Sequence, residues 1–333
     1  MTKAPRVSVA RGVSASLLAL ACAGARGEGI VEVVVPRGAT AGAVAESLSA
    51  AGAVRWPELF RVYLALRGHD RAIKPGTYRL DKSASWESLL SALVSGRGLV
   101  YPITIPEGYT LRQIASLLAQ RTPWSEDSLL AAARDPELLA RFEVPATSLE
   151  GYLFPATYAF PHGAPARTVI ETMAAEFQRR WRPNWDARLQ ELGMTRHQIV
   201  TLASIVEREA LHAEEAPLIA AVFHNRLKRG MPLQADPTVQ YALGSHRSRI
   251  LYRDLDVDSP YNTYRRPGLP PGPIGSPGTT ALEAALFPAQ VPFLYFVAHP
   301  DGHHEFRRTF REHLAAIREV RSGSSGRRGQ EQQ

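Results

Sequence analysis

Glu207 and Glu209 are the residues whose type and spacing most directly suggest chemistry. They close the stretch 195–210, TRHQIVTLASIVEREA. Thr195 and Gln198 form a T-x-x-Q capping box. Ile199, Leu202, Ala203, Val206 and Ala210 then recur at helical spacing, so an amphipathic helix is expected. At about 100° per residue the two carboxylates fall on opposite shoulders of that stripe and cannot face one site together. A carboxyl on such a shoulder stands half-buried beside apolar walls, which raises its pKa towards that of a general acid. The plain alternative is a solvated helix face with Arg208 between the acids, and the helix alone does not choose.

The following segments present polar side chains on stiff turns. Residues 218–228, LIAAVFHNRLK, read as a second helix ended by Gly230 as C′ glycine. A third begins at 234–238, QADPT, with Asp236 expected as N-cap and Pro237 at N1. Residues 259–278, SPYNTYRRPGLPPGPIGSPG, are too rich in Pro and Gly for regular structure. Prolines hold such a loop at low entropic cost. Its Tyr261, Asn262, Thr263 and Tyr264 offer donors and acceptors for hydroxyl and N-acetyl groups and rings for sugar faces. A preformed polar loop opposite a carboxylate helix suits a carbohydrate. Upstream, Glu150 lies in 148–160, SLEGYLFPATYAF, where a carboxylate ordinarily caps a turn or pairs with an arginine. Trp181 and Trp185 follow a helix at 168–180 and are expected in the core.

These segments are preceded by a smaller pattern. Residues 30–35 are a β-branched run and read as a strand. Pro36-Arg37-Gly38 turns, and Thr40 caps a helix with Val44, Ala45 and Leu48 inward. A helix at 56–67, a strand at 74–80 and a helix at 85–94 capped by Ser85 complete a β-α-α-β unit. Pro36, Gly38, Thr40, Val44, Ala45 and Leu48 align with Pro106, Gly108, Thr110, Ile114, Ala115 and Leu118 at a constant offset of 70. Pro75-Gly76-Thr77-Tyr78 is echoed by Pro155-Ala156-Thr157-Tyr158. The identities fall on turn residues, which favours a duplication. The unit resembles a LysM-like module, a glycan-binding fold. The expected fold class is α+β, with small LysM-like β-α-α-β modules followed by a mixed α/β catalytic domain. The expected divisions are an N-terminal signal or anchor at 1–28, a module at 29–100, a second repeat and connection at 101–190, the catalytic domain at 191–320 and a disordered basic tail at 321–333.

Near the C-terminus, 293–298 read as a buried strand, 300–302 as a turn and 304–307 as a return strand, with a helix from about Thr309. His299, His303, His304 and Glu305 fall at the hairpin without any ligand pair at helical spacing. They are expected to be exposed polar residues, and neither metal nor cofactor is expected.

The bulk numbers fit this picture. The chain has 333 residues, 45% hydrophobic and 21% charged, which is ordinary globular composition. Its net charge of +7 favours an acidic partner. The basic residues form no stripe with interleaved aromatics, so nucleic acid is not expected. Cys22 is the one cysteine, which excludes an intramolecular disulfide and a multi-cysteine zinc site. Lys3, Arg6 and Arg11 precede an uncharged run at 12–25, an export-signal pattern. As a helix that run spans roughly 20 Å against a hydrocarbon core of roughly 30 Å. The residues 18–22, LALAC, also approximate a lipobox.

Taken together, LEGYLFPATY, ASIVEREA, FHNRLKRGMPLQADPTVQYALG, SPYNTYRRPGLPPGPIGSPG and LYFVAHPDGHHEF resemble the YceG-like endolytic murein transglycosylases. The resemblance runs from about Ile30 to Ile317. It implies an enzyme of the bacterial inner membrane that faces the periplasm and cuts nascent peptidoglycan strands internally. A LysM-like region would precede the catalytic domain, and cell-wall synthesis proteins are candidate partners. The family's catalytic glutamate lies in its S-I-V-E motif, here Ser204-Ile205-Val206-Glu207, so Glu207 takes that role. Glu209, Glu150, Asn225, Gln234, Asp236, Tyr261, Asn262, Thr263 and Tyr264 match family positions and are expected to bind substrate or support the site. Members usually carry a clear transmembrane helix, whereas this N-terminal run is short. That leaves a membrane anchor, a lipoprotein at Cys22 or a cleaved signal as alternatives. A hydrolase on the same glycan would need a second carboxylate, with Glu209, Asp236 or Glu150 as candidates. A non-catalytic wall-binding protein is the other competitor.

Overall fold

The computed structural model describes residues 28–68, 72–244 and 250–330. The expected signal or anchor, including Cys22, falls on residues outside that set. Among the described residues, no helix is long and apolar enough to cross a membrane.

The chain forms two compact units, one of residues up to 103 plus 158–164, the other of 104–157 plus 165 onward. In the first, β1 (Ile30–Val35) leads to α1 (Ala41–Ala50), α2 (Pro57–Arg67), β2 (Gly76–Asp81), α3 (Trp86–Ser95) and β3 (Leu99–Thr104). Thr40 and Ser85 accept from the backbone N–H groups of Ala43 and Ser88, as N-caps do. β1 pairs antiparallel with β2, and β2 with β3. β4 (Thr157–Pro161) completes the sheet in the order β1-β2-β3-β4. Val33, Val35, Leu48, Phe60, Leu64, Tyr78, Trp86 and Leu93 pack into one apolar cluster.

The strands expected to build a second repeat in 101–190 therefore do something else. β3 and β4 are the third and fourth strands of the first unit's sheet, while the helices between them belong to the second unit. A strand that adds to an existing sheet pairs the backbone groups along one of its sides, and sequence similarity between strand-turn-helix segments does not say which sheet receives them.

The second unit is mainly helical. It contains α4 (Leu111–Arg121), α5 (Glu126–Ala132), α6 (Pro136–Arg141), α7 (Ala166–Arg180), α8 (Pro183–Leu192), α9 (Arg196–Glu209), α10 (Ala216–Lys228), α11 (Asp236–Leu243) and α12 (Thr279–Leu286). A two-stranded sheet, β5 (Tyr295–Ala298) with β6 (His304–Arg307), and α13 (Phe310–Gln330) follow. β5 is half-buried rather than buried as expected. α13 continues to Gln330, where a disordered tail from 321 was expected. Trp181 and Trp185 are buried and meet edge to face, ring centroids 5.1 Å apart, which fits the core role read for them. The segment 259–278 has no helix or strand.

Candidate functional site

α9 has the expected start. Thr195 accepts from the Gln198 N–H while Gln198 Oε1 accepts from the Thr195 N–H. Its middle differs from the amphipathic expectation: every residue of 199–206 is buried. The polar members of that run are satisfied internally. Thr201 donates to the His197 carbonyl, and Ser204 donates to the Thr201 carbonyl while accepting from the Ile274 N–H at 3.0 Å. A helix enclosed on all sides is a rigid mount. Three charged residues, Glu207, Arg208 and Glu209, emerge together at its last turn, and each meets different neighbours.

Glu207 meets the start of α12. Its Oε2 accepts from the Gly278 N–H at 2.9 Å, and Gly278 is that helix's N-cap. Burial pushes the carboxyl up to about 7, the Gly278 hydrogen bond opposes this, and the charge of Glu107 adds to it. Glu107 is exposed, and its carboxylate rests where a Cβ on Gly278 would lie. A helix N-terminus ordinarily favours a carboxylate's ionised form; here desolvation outweighs it. A carboxyl balanced near neutrality can both give and take a proton.

Arg208 turns to the other side of the Gly108 turn. Its Nη1 donates to the Gly108 carbonyl at 3.2 Å and its Nη2 to Gln240 Oε1 at 3.4 Å. Close by, Glu150 Oε1 accepts from the Leu111 N–H at the start of α4 at 2.9 Å, and Oε2 accepts from the Tyr241 hydroxyl at 3.2 Å. Burial nevertheless raises Glu150 to about 7. The rings of Tyr241 and Tyr261 lie 4.7 Å apart. A cavity of about 450 Å³ opens here, with Glu150, Arg208 and Tyr241 in its wall; Glu207 is not part of that wall.

Glu209 faces a third group. Burial and then the Asp236 charge push it up to about 8, against the pull of Arg208 and Arg226. Asp236 does not cap α11 as expected. The N-cap is Ala235, without a side-chain cap, and Asp236 Oδ1 instead accepts from the Tyr264 hydroxyl at 2.5 Å. Buried Arg226 donates to the Leu294 carbonyl at 2.7 Å, the Leu233 carbonyl at 2.8 Å and Gln234 Oε1 at 3.3 Å. Gln234 holds a left-handed backbone, φ 51°, which this clamp stabilises.

The expected site residues thus divide. Glu150 and Tyr261 gather near the cavity; Asp236, Gln234 and Tyr264 gather on the Glu209 side. Asn225, Asn262 and Thr263 build the frame. Asn225 Nδ2 donates to the carbonyls of Val291 and Phe293. Asn262 is fully buried: its Nδ2 donates to the carbonyls of Leu255 and Val257, and its Oδ1 accepts from the Tyr264 N–H. Thr263 Oγ1 accepts from the Ala235 N–H and meets Thr238 Oγ1. Every polar atom of the Asn262 amide is engaged within its own loop, so it shapes that loop rather than reaching a ligand. Sequence reasoning missed Glu107, Arg208, Arg226 and Tyr241 as parts of the site. The signal for Glu107 was the Pro106-Glu107-Gly108 turn, read only as a repeated turn.

Of the hairpin histidines, His303 is exposed as expected and His304 is not. His304 is packed in, and its Nδ1 lies 2.7 Å from Glu215 Oε2, with the His304 N–H donating to Oε1. Burial works to raise Glu215, yet the hydrogen bonds from His304 and His303 hold it below the usual carboxylate range. His303 joins His212 and Glu214 in a group with ligand atoms within 4.8 Å of one another. The two rings are stacked with centroids 3.7 Å apart and 5° between planes. Imidazole lone pairs lie in the ring plane, so one ion cannot meet both rings as they stand.

The YceG-like family model matches residues 33–319. An endolytic murein transglycosylase of Bacillus subtilis (strain 168) is 35% identical over 302 residues, 86% of this chain and 83% of that protein. One of Streptococcus pneumoniae (strain D39) is 34% identical over 299 residues, 80% of this chain and 54% of that longer protein. The crystal structure of a YceG-like protein from Listeria monocytogenes superposes with a TM-score of 0.63 at 33% identity, covering 86% of this chain and 98% of that one.

Proposed function

The chain belongs to the YceG-like family, and we propose that it is an endolytic murein transglycosylase with Glu207 as its catalytic acid and base. The observation that carries the reading is the Glu207 carboxyl, held by the Gly278 N–H and raised to about 7. Neutral Glu207 protonates the glycosidic oxygen between N-acetylmuramic acid and N-acetylglucosamine. As that bond breaks, positive charge develops at C1 of the muramyl residue. The Glu207 carboxylate then takes the proton from the same sugar's 6-hydroxyl, whose oxygen closes onto C1 to leave a 1,6-anhydro end. The nucleophile is intramolecular, so its effective concentration is high and no water need be activated. One carboxylate serves both proton transfers.

In this reading the first unit is a LysM-like module that holds the glycan strand. The N-terminal residues 1–28 tie the protein to the inner membrane with the catalytic unit in the periplasm. Cutting nascent strands there would terminate their elongation, alongside cell-wall synthesis proteins. The net charge of +7 suits a polymer bearing peptide carboxylates.

A second reading, a hydrolase on the same glycan, is favoured by Glu107, a second carboxylate on the same helix terminus as Glu207. Digestion of purified glycan strands separates the two. Anhydro muramyl ends are expected from the wild type and none from Glu207→Gln with its circular dichroism unchanged. Reducing ends in place of anhydro ends would sink the transglycosylase reading, and undiminished cleavage by Glu207→Gln would remove Glu207 from the reaction.

A further inference from the structure

The cavity beside Arg208 has an uneven charge. Its wall carries three arginines, Arg112, Arg134 and Arg208, against one glutamate, Glu150. Arg112 and Arg134 are exposed and make no ion pair or side-chain hydrogen bond among the described residues. That contrasts with Arg167, Arg180, Arg182 and Arg188 of the same unit, each of which is paired with a carboxylate. Arg208 is committed through its two Nη atoms, but its Nε is buried without a hydrogen-bond partner. Guanidinium groups left free at a concave, partly polar wall are suited to a planar anion, which they meet through two parallel hydrogen bonds. At about 450 Å³ the cavity has room for a short peptide.

Its position adds to this. Gly108 touches both sides: its carbonyl accepts from Arg208, and a Cβ there would lie 3.7 Å from Glu207 Cγ. The cavity and the acid are thus separated by a single turn of chain. In the substrate class proposed above, a muramyl residue carries its peptide on the lactyl group at C3, on the ring whose C1 reacts. A peptide attached there must leave the acid within one sugar ring's width.

We propose that this cavity is the subsite for the peptide borne by the muramyl residue, with Arg112 and Arg134 holding one of its carboxylates. The inference rests on the transglycosylase reading for the identity of the sugar, but binding tests it without turnover. The probes are a GlcNAc–MurNAc disaccharide carrying its acidic stem peptide and the same disaccharide with the peptide removed, titrated into the full chain. The wild type is expected to bind the peptide form at least ~10-fold more tightly, the range of hydrogen bonds to charged groups. Arg112→Gln/Arg134→Gln should lose that preference while its affinity for the bare disaccharide stays unchanged. Both side chains are exposed, and circular dichroism verifies the fold. Equal affinity of the wild type for the two probes, or a preference surviving in the double variant, overturns the proposal. Failure of the wild type to produce anhydro ends would overturn the transglycosylase reading instead, and the binding result would still decide the subsite.

Discussion

The two units of this protein treat polar groups in opposite ways. In the first, the interior is an apolar cluster gathered on a four-stranded sheet, and the buried side chains among its described residues are hydrophobic ones, with hydroxyls only on Tyr63, Tyr78 and Tyr158. In the second, Glu176, Glu215, His224, Arg226, Asp254 and Asn262 are all buried, and Glu150, Glu207 and Glu209 are all raised by burial. Burying polar groups costs stability unless each finds a partner. The second unit bears that cost at charged groups, where the carboxyls stand; the first, among its described residues, bears it only at two uncharged ones, the Tyr63 hydroxyl and the Trp86 Nε1, which are buried without a partner. The contrast teaches where to look for chemistry: in the unit whose packing works against its own charges.

The largest test of this contrast is the loss of one carboxylate from each unit. Glu207→Gln is expected to lower turnover on glycan strands by ~10³-fold or more, as for removal of a general acid and base. Glu32→Gln, an exposed change on β1, should leave it within a factor of two in the same assay. Comparable losses would erase the distinction between the units. Next in size is the core. Leu93→Ala removes a fully buried side chain from the first unit and should cost about 2–5 kcal/mol in denaturant unfolding, without moving the pH midpoint of cleavage.

The pH profile sharpens the comparison further. Glu207 works as an acid in its neutral form, so cleavage should fall as pH rises through about 7. The Glu107 charge helps raise that carboxyl, so Glu107→Gln should shift the alkaline limb to lower pH, by less than ~1 unit for an exposed partner. A limb that stays in place would show that the two carboxylates do not sense each other. The smallest effect concerns stability. A carboxyl raised by folding favours the protonated form in the native state, so its contribution is complete below the ordinary carboxyl range and is lost as pH climbs. For Glu209 that loss runs up to about 8. Glu209→Gln should therefore raise the melting temperature by about 2–4 °C near pH 8.5 and leave it unchanged near pH 5.

Local signals in the sequence carried far. The caps at Thr40, Ser85 and Thr195 are made by side chains bonding a few residues ahead, so short spacing suffices to find them. Gly230 sits at φ 64°, the left-handed conformation expected after a helix. The separation of Glu207 from Glu209 follows from helical angle alone. What the sequence hid depends on long-range approach. Glu150 and Leu111 are 39 residues apart, and Arg226 and Leu294 are 68 apart. No periodicity links them. β4 is an ordinary strand by composition, but its choice of sheet is tertiary. Asp236 satisfies every local rule for an N-cap, yet the Tyr264 hydroxyl claims its oxygen instead.

Gly278 shows what such approach demands of one residue. Its φ of −79° and ψ of 178° are open to any amino acid, so its torsions give no reason for a glycine. The space beside it does, because the Glu107 carboxylate fills the volume that a methyl group would take. A single hydrogen atom in place of a methyl group therefore lets the Glu107 carboxylate lie against the residue whose N–H holds Glu207. Alanine there would be invisible in the backbone and felt in the acid: it would push one carboxylate outward and retune the other, without touching either glutamate.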